Sequence, residues 1–339
     1  MMLPSIVRAL LAPAAVVIAT TPAAAQDFYK GKQVTILVAG TAGGGIDIGA
    51  RIVARHLGKH IPGHPTVVAQ LMPGAGGIRM IDHMNKAAPR DGTVIGTMAP
   101  GPIVEPLIGK RKTTYRMTDF TALAAMDKDV SLCLAWGTSK FKSIKDAMAA
   151  QMTVAGTGAG SSTDIYPVFL NAVLGTKFRV ITGYQGSQET IIAIERGEVD
   201  GRCGWGWSSL NSTKPDWVRD KKLNYLLQLA LTKNPKIDAP LVVDLVKDEA
   251  SRQMMTLLFG PLSLNKPFVG PPGMPAERTA VLRKAFAQAL DDKDLRAEAR
   301  KIIGADIDPT PGEEAQKLLA GIYATPPDVV ARLKGILAK

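Results

Sequence analysis

Cysteine is almost absent from this chain: 339 residues contain two, Cys133 and Cys203. So far apart, they make no metal motif, and neither has a histidine nearby in sequence to activate it. In an oxidising compartment they form a candidate disulfide, with two buried thiols as the alternative. Histidine is scarce too, with four residues. His56 and His60 have the i, i+4 spacing of helical zinc ligands, but no acid stands beside them and Arg55 and Lys59 repel a cation. A solvated helix face is the expectation there, with no metal, and His64 and His83 show no partner spacing. There is no Gly-x-Ser-x-Gly elbow. Glu105, Glu189, Glu195 and Glu198 could be paired as acid and base, although helix-surface charge is the usual fate of such residues. Neither catalysis nor a cofactor is expected.

Long apolar runs are missing beyond the N-terminus, and a membrane span needs about 20 such residues. The first 25 residues read as a secretory signal, with Arg8 as a basic start, Ala9 to Ala19 as an apolar stretch and Ala23-Ala24-Ala25 as the cleavage site. Pro13 and Thr20-Thr21-Pro22 break this stretch, which argues against an anchor. Removing it takes away one arginine and no acid, lowering the formal net charge of +11 by one. A basic exported protein meets no nucleic acid. The excess charge serves solubility, an anionic ligand or an anionic surface.

What the chain does have is glycine in a repeated setting. Val38-Ala39-Gly40-Thr41-Ala42-Gly43-Gly44-Gly45-Ile46-Asp47 is echoed by Val154-Ala155-Gly156-Thr157-Gly158-Ala159-Gly160-Ser161-Ser162-Thr163-Asp164. Each copy follows an apolar β-rich run and leads into an amphipathic stretch, so each reads as strand, turn and helix. Such turns aim free N–H groups and a helix N-terminus at one spot. Two of them facing each other would clamp an anion. A nucleotide is not that anion: no Lys-Ser/Thr follows Gly45, Ile48 stands where a dinucleotide fingerprint needs glycine, and the second strand ends in Gln70 rather than an acid.

The surrounding pattern predicts an α/β protein of two lobes, since single cores stop growing near roughly 250 residues. Residues 26–128 form the first part of lobe one, 129–256 lobe two, and 257–339 a return segment with C-terminal helices. Three βα units in a row predict a mostly parallel sheet with ligand-facing loops at its strand ends. Asp47 is expected to cap a helix reaching His60. Leu241 to Thr256 reads as a helix and Leu257 to Leu264 as the returning strand. The two crossings suit hinge closure. Trp205 and Trp207, flanked by glycines past a strand end, are candidates for stacking on a ligand or for packing under a loop. Tyr184, in a Gly-x-x-Gly turn, is a weaker candidate.

Six segments in order resemble one family: Ala42 to Asp47 with Arg51, Met72-Pro73-Gly74-Ala75-Gly76-Gly77, Pro89 to Thr93, Gly158 to Ser161, Gly183-Tyr184-Gln185-Gly186, and Gly197-Glu198-Val199-Asp200. The chain resembles the periplasmic substrate-binding proteins of tripartite tricarboxylate transporters, the Bug family. The resemblance implies a type II periplasmic-binding-protein fold that closes on a small carboxylate and delivers it to membrane transporter subunits. It places ligand contacts on Thr41, Ala42, Gly43, Gly44 and Gly45 with Asp47, and on Gly158, Ala159, Gly160, Ser161 and Ser162 with Thr163. Gln185 stands where the family commonly carries a cation. The expected ligand is a di- or tricarboxylate, or an aromatic acid if the tryptophans face it, bound by a monomer. An exported enzyme acting on a carboxylate and a ligand-sensing partner of a membrane protein are the alternatives.

Overall fold

The structure, a computed structural model, describes residues 28–109, 113–158, 160–304 and 306–338. The signal segment expected at residues 1–25 lies outside them, as does Ala159. Two sheets organise the described chain. The first contains β1 (Gln33–Val38), β2 (Thr66–Leu71), β3 (Val94–Thr97), β4 (Thr121–Asp127) and, from the far end of the chain, two later strands. The second contains β5 (Ser131–Trp136), β6 (Met152–Ala155), β7 (Phe178–Ile181), β8 (Gly201–Gly206) and β9 (Leu223–Leu229). The late strands are β10 (Asn265–Gly270) and the short β11 (Thr310–Pro311). Spatial order is β11-β4-β10-β3-β1-β2 in one sheet and β7-β6-β8-β5-β9 in the other.

Each sheet is mixed rather than mostly parallel. β1 pairs parallel with β2 and β3, whereas β10 runs antiparallel to β3 and β4. Likewise β6 is parallel to β7 and β8, while β5 is antiparallel to β8 and β9. The parallel pairs come from βα units, whose crossover helices return the chain in the same direction. The antiparallel pairs involve strands at the crossings between sheets. Both faces of β1 are buried: Val34, Ile36 and Val38 enter one apolar cluster and Leu37 another. A strand with period-2 geometry covered on both sides reads as one continuous apolar run.

The first crossing joins β4 to β5 directly, through residues 128–130. The return differs from expectation. Asp248 caps a helix, Glu249–Phe259, by accepting the Ser251 N–H at 2.8 Å. A 3-10 turn, Gly260–Leu264, follows, and the strand starts only at Asn265. The apolar run 257–264 is buried either way, and a short buried run has no period that separates helix from strand. Residues 241–256 are likewise not one helix, since a 3-10 turn at Val242–Leu245 precedes the cap. The prolines at 102 and 106 also hide a helix, Gly101–Ile108.

The C-terminal helix, Pro327–Leu337, lies where the two parts of the chain meet. Val329, Leu333 and Leu337 are buried in the cluster that holds Tyr166 and Phe169 from the second sheet's helix Ser162–Leu174. The same cluster holds Val104 and Ile108, so the helix packs both on the second lobe and on helix Gly101–Ile108, which precedes β4. No described helix is long and apolar enough to cross a membrane.

Candidate functional site

The two echoing turns do meet. Thr41, Gly44, Gly45, Ile46 and Asp47 line one cleft together with Ser161, Ser162 and Thr163. Its volume is about 80 Å³, room for roughly five waters at the space one water needs. Gly76, Pro102, Gln185, Gly186 and Gly204 complete much of the wall. The lobes touch across it: Gln188 Nε2 donates to the Gly43 carbonyl at 2.7 Å. A Cβ on Gly45 would sit 2.3 Å from Ser209 Oγ, so the first turn can approach the second lobe only without a side chain there.

Each turn is held by an aspartate. In the first, Asp47 accepts the Gly43 N–H at 2.8 Å and binds Arg51 Nε at 2.7 Å. Helix Gly45–Leu57 starts before Asp47, with Gly44 at the N-cap position, so Asp47 braces the loop from inside the first turn rather than capping it. In the second, Asp164 accepts the Gly158 N–H at 2.9 Å and the Ser161 hydroxyl at 2.7 Å. Thr163 Oγ1 accepts the Thr157 N–H at 2.9 Å. Several N–H groups expected to be free are thus consumed by the loops themselves. The first N–H groups of the two helices, which lack partners within a helix, remain as donors at Gly45, Ile46, Ser162 and Thr163. Thr41 Oγ1 is buried without a protein hydrogen-bond partner.

Not every expected residue reaches the cleft. Ala42 and Gly43 are exposed, and Gly43 and Gly158 serve as braces. Gly160 lies on the far side of its turn, beside Glu105 in a separate cavity of about 200 Å³. Tyr184 hydrogen-bonds Glu198 at 3.4 Å, while its neighbours Gln185 and Gly186 line the cleft. Trp205 is buried edge-to-face against Trp217 at 6.1 Å, and Trp207 packs similarly on Tyr225 at 5.8 Å. Neither tryptophan is among the lining residues; both take the packing role.

A residue missed in the sequence takes the place expected for them. Arg202 lines the cleft at 6 % exposure, donating from Nη1 to Thr190 Oγ1 at 2.8 Å, while its Nε has no partner. Its guanidinium lies 4.8 Å from the Trp205 ring centroid. Arg202 and Trp205 are three apart and would face opposite ways on a regular strand. The shift in the β5–β8 ladder at Leu132/Cys133 and a φ of +90° at Gly204 bring them together. Among the described residues no carboxylate forms an ion pair with Arg202. Burial alone pulls its pKa down, to about 9, which leaves it charged at neutral pH. The signal in the sequence was a lone arginine within Gly201-Arg202-Cys203-Gly204, inside a strand.

Cys133 and Cys203 stand opposite each other on β5 and β8 with their sulfurs joined, and their Cα atoms are 3.9 Å apart. His56 and His60 do not lie on a solvated face: they contact Glu298 and Asp292, at 2.7 and 3.0 Å, on or beside helix Lys293–Ile303. The described residues contain no group of three or more His, Cys, Asp or Glu side chains able to hold a metal.

The model of the tripartite tricarboxylate transporter family receptor matches residues 49–318. The chain belongs to that family. Among solved structures this receptor is similar to the periplasmic binding protein BugD, at 21 % identity and a TM-score of 0.71 over 91 % of this chain and 98 % of that one. MatC of Rhodopseudomonas palustris, solved with malate, gives 22 %, 0.70, 90 % and 99 % in the same order. A second R. palustris protein, solved with adipate, gives 19 %, 0.70, 90 % and 98 %. These likenesses show the two-lobed periplasmic-binding fold. The UPF0065 protein of the tcbD-tcbE intergenic region of a Pseudomonas strain is 26 % identical over 201 residues, which are 57 % of this chain and 59 % of that protein. The chain therefore spans under two thirds of that relative's length.

Proposed function

We propose that the protein is a periplasmic receptor, without catalytic activity, that captures a small organic carboxylate between its two lobes and delivers it to a tripartite tricarboxylate-type membrane transporter. The observation that carries this reading is the convergence of two helix N-termini, one from each lobe, on a single small cleft. Helix N-termini attract negative charge and present N–H donors to it. Because the donors belong to different lobes, a bound anion holds the lobes together, and that is what a closing receptor requires. Family membership supports the role in transport, and the malate and adipate held by two structural relatives support the ligand class. The packing of both tryptophans away from the cleft favours an aliphatic acid over an aromatic one.

A thermal-shift screen with aliphatic and aromatic acids tests the proposal, since a ligand that binds only the native state raises the melting temperature. A concentration-dependent rise with short dicarboxylates, and recovery of the acid unchanged, is the expected result. Conversion of the acid, or no rise with any of them, would overturn it.

A further inference from the structure

A buried cation normally has a buried anion beside it, because an uncompensated charge in a dry site is costly. Arg202 has a threonine hydroxyl and an indole face instead, neither of which carries a charge. Its Nε is buried without a partner, and the residue is part of the cleft wall. The other charge on that wall, Asp47, is already matched by Arg51. Of the two charged residues lining the cleft, Arg202 alone is without a countercharge among the described residues.

We infer that Arg202 is the specificity-determining residue of the cleft, pairing with a carboxylate of the ligand and making closure of the lobes dependent on an anion. This rests on the receptor reading and assigns its charge selectivity to one side chain. The guanidinium is held in place from two sides. Thr190, on helix Ser187–Glu195, fixes one Nη, and Trp205 supports the plane of the group. A fork so oriented matches a carboxylate in geometry as well as charge. The same helix carries Gln188, whose amide reaches across to Gly43. An anion drawn to Arg202 therefore sits beside the element that latches the two lobes. A neutral analogue of the same shape leaves the buried cation unbalanced and closes the cleft poorly.

The test compares an acid with its neutral amide. Succinate, malate, adipate and benzoate, each beside the corresponding carboxamide, are titrated into the wild type, Arg202→Gln and Arg202→Lys. The wild type is expected to prefer its best acid over the amide by at least 100-fold. Arg202→Gln should bring that ratio within about threefold, because glutamine cannot tell a charged oxygen from a neutral one by charge. Arg202→Lys should keep a preference for the acid but bind it at least tenfold more weakly, since an ammonium lacks the fork. A merely structural arginine would weaken acid and amide alike, leaving the ratio unchanged in both variants. That outcome overturns the inference and leaves the receptor reading standing. Failure of the wild type to bind any acid overturns both. Should Arg202→Gln not fold, an Arg202→Lys variant with wild-type affinity for the acid would overturn the inference by itself.

Discussion

Two buried cations divide the chemistry of this molecule. Arg202, in the cleft, has no countercharge. Lys266, at the crossing between lobes, is 2 % exposed, and its charge lowers the pKa of Asp127 and Asp129 against their burial. Its Nζ donates to Ser208 Oγ at 2.6 Å, and that hydroxyl donates to Asp129 Oδ2 at 2.8 Å. Asn265 donates to both Asp129 and Ser208, and the Ser208 N–H also reaches Asp129. Asp127, on the other side, accepts the Asp308 N–H at 3.1 Å. These residues come from the two chain crossings and from helix Trp207–Thr213 of the second lobe. The hinge network is complete within the protein, whereas the cleft is left one partner short. The difference teaches where a ligand is needed and where it is not.

Removing each cation should break that contrast most sharply. Lys266→Met removes the cation whose field opposes the burial of Asp127 and Asp129 and is expected to cost about 3 kcal/mol or more, since it leaves buried carboxylates uncompensated. Arg202→Gln should leave the ligand-free protein as stable as the wild type or more so. Denaturant unfolding of both variants without ligand checks the pair; equal losses would erase the distinction.

Asp127 carries a pH signature of the hinge. Burial pushes its pKa from 3.8 to about 7, against the opposing pull of Lys266. Its folded-state pKa lies above the unfolded one, so the folded protein keeps a proton that the unfolded chain has released. Stability contributed by that proton is therefore lost as pH rises from about 4 to about 7. Asp127→Asn, which can still accept from Asp308, should flatten this fall and melt higher than the wild type at pH 8. An unchanged slope across that window would remove Asp127 as its cause.

Smaller effects sharpen the picture. Ser208→Ala takes out the hydroxyl shared by Lys266, Asn265 and Asp129 and should cost about 1–3 kcal/mol. Asp47→Asn, which gives up an ion pair whose arginine is 47 % exposed, should cost about 1 kcal/mol or less. The corresponding Asp164→Asn should cost more, because its carboxylate is held by an amide and a hydroxyl with no exposed cation in the set. Melting temperatures of the two asparagine variants, measured side by side, give the comparison.

Much of this was legible in the sequence, for identifiable reasons. The βα units announced themselves through apolar runs ending in glycine, and the two echoing turns were read correctly as facing one cleft. Arg202 was hidden because a strand's regular alternation would have turned it away from Trp205. Only the ladder shift and the backbone at Gly204 reunite them. Asp47 read as a helix cap; its work as a brace, and that of Asp164, appears once distances are known. The C-terminal helix could not be assigned from its own residues, since an amphipathic stripe says that it packs and not on which lobe.

On the proposed reading, the cleft takes up one small anion. Titration calorimetry of the purified protein with malate, followed by recovery of the acid, is the decisive measurement. One molecule bound per chain, an affinity that weakens as salt is raised, and malate recovered intact are the predicted results. Consumption of the malate, or heat of binding from its uncharged diamide equal to that from the acid, would contradict it.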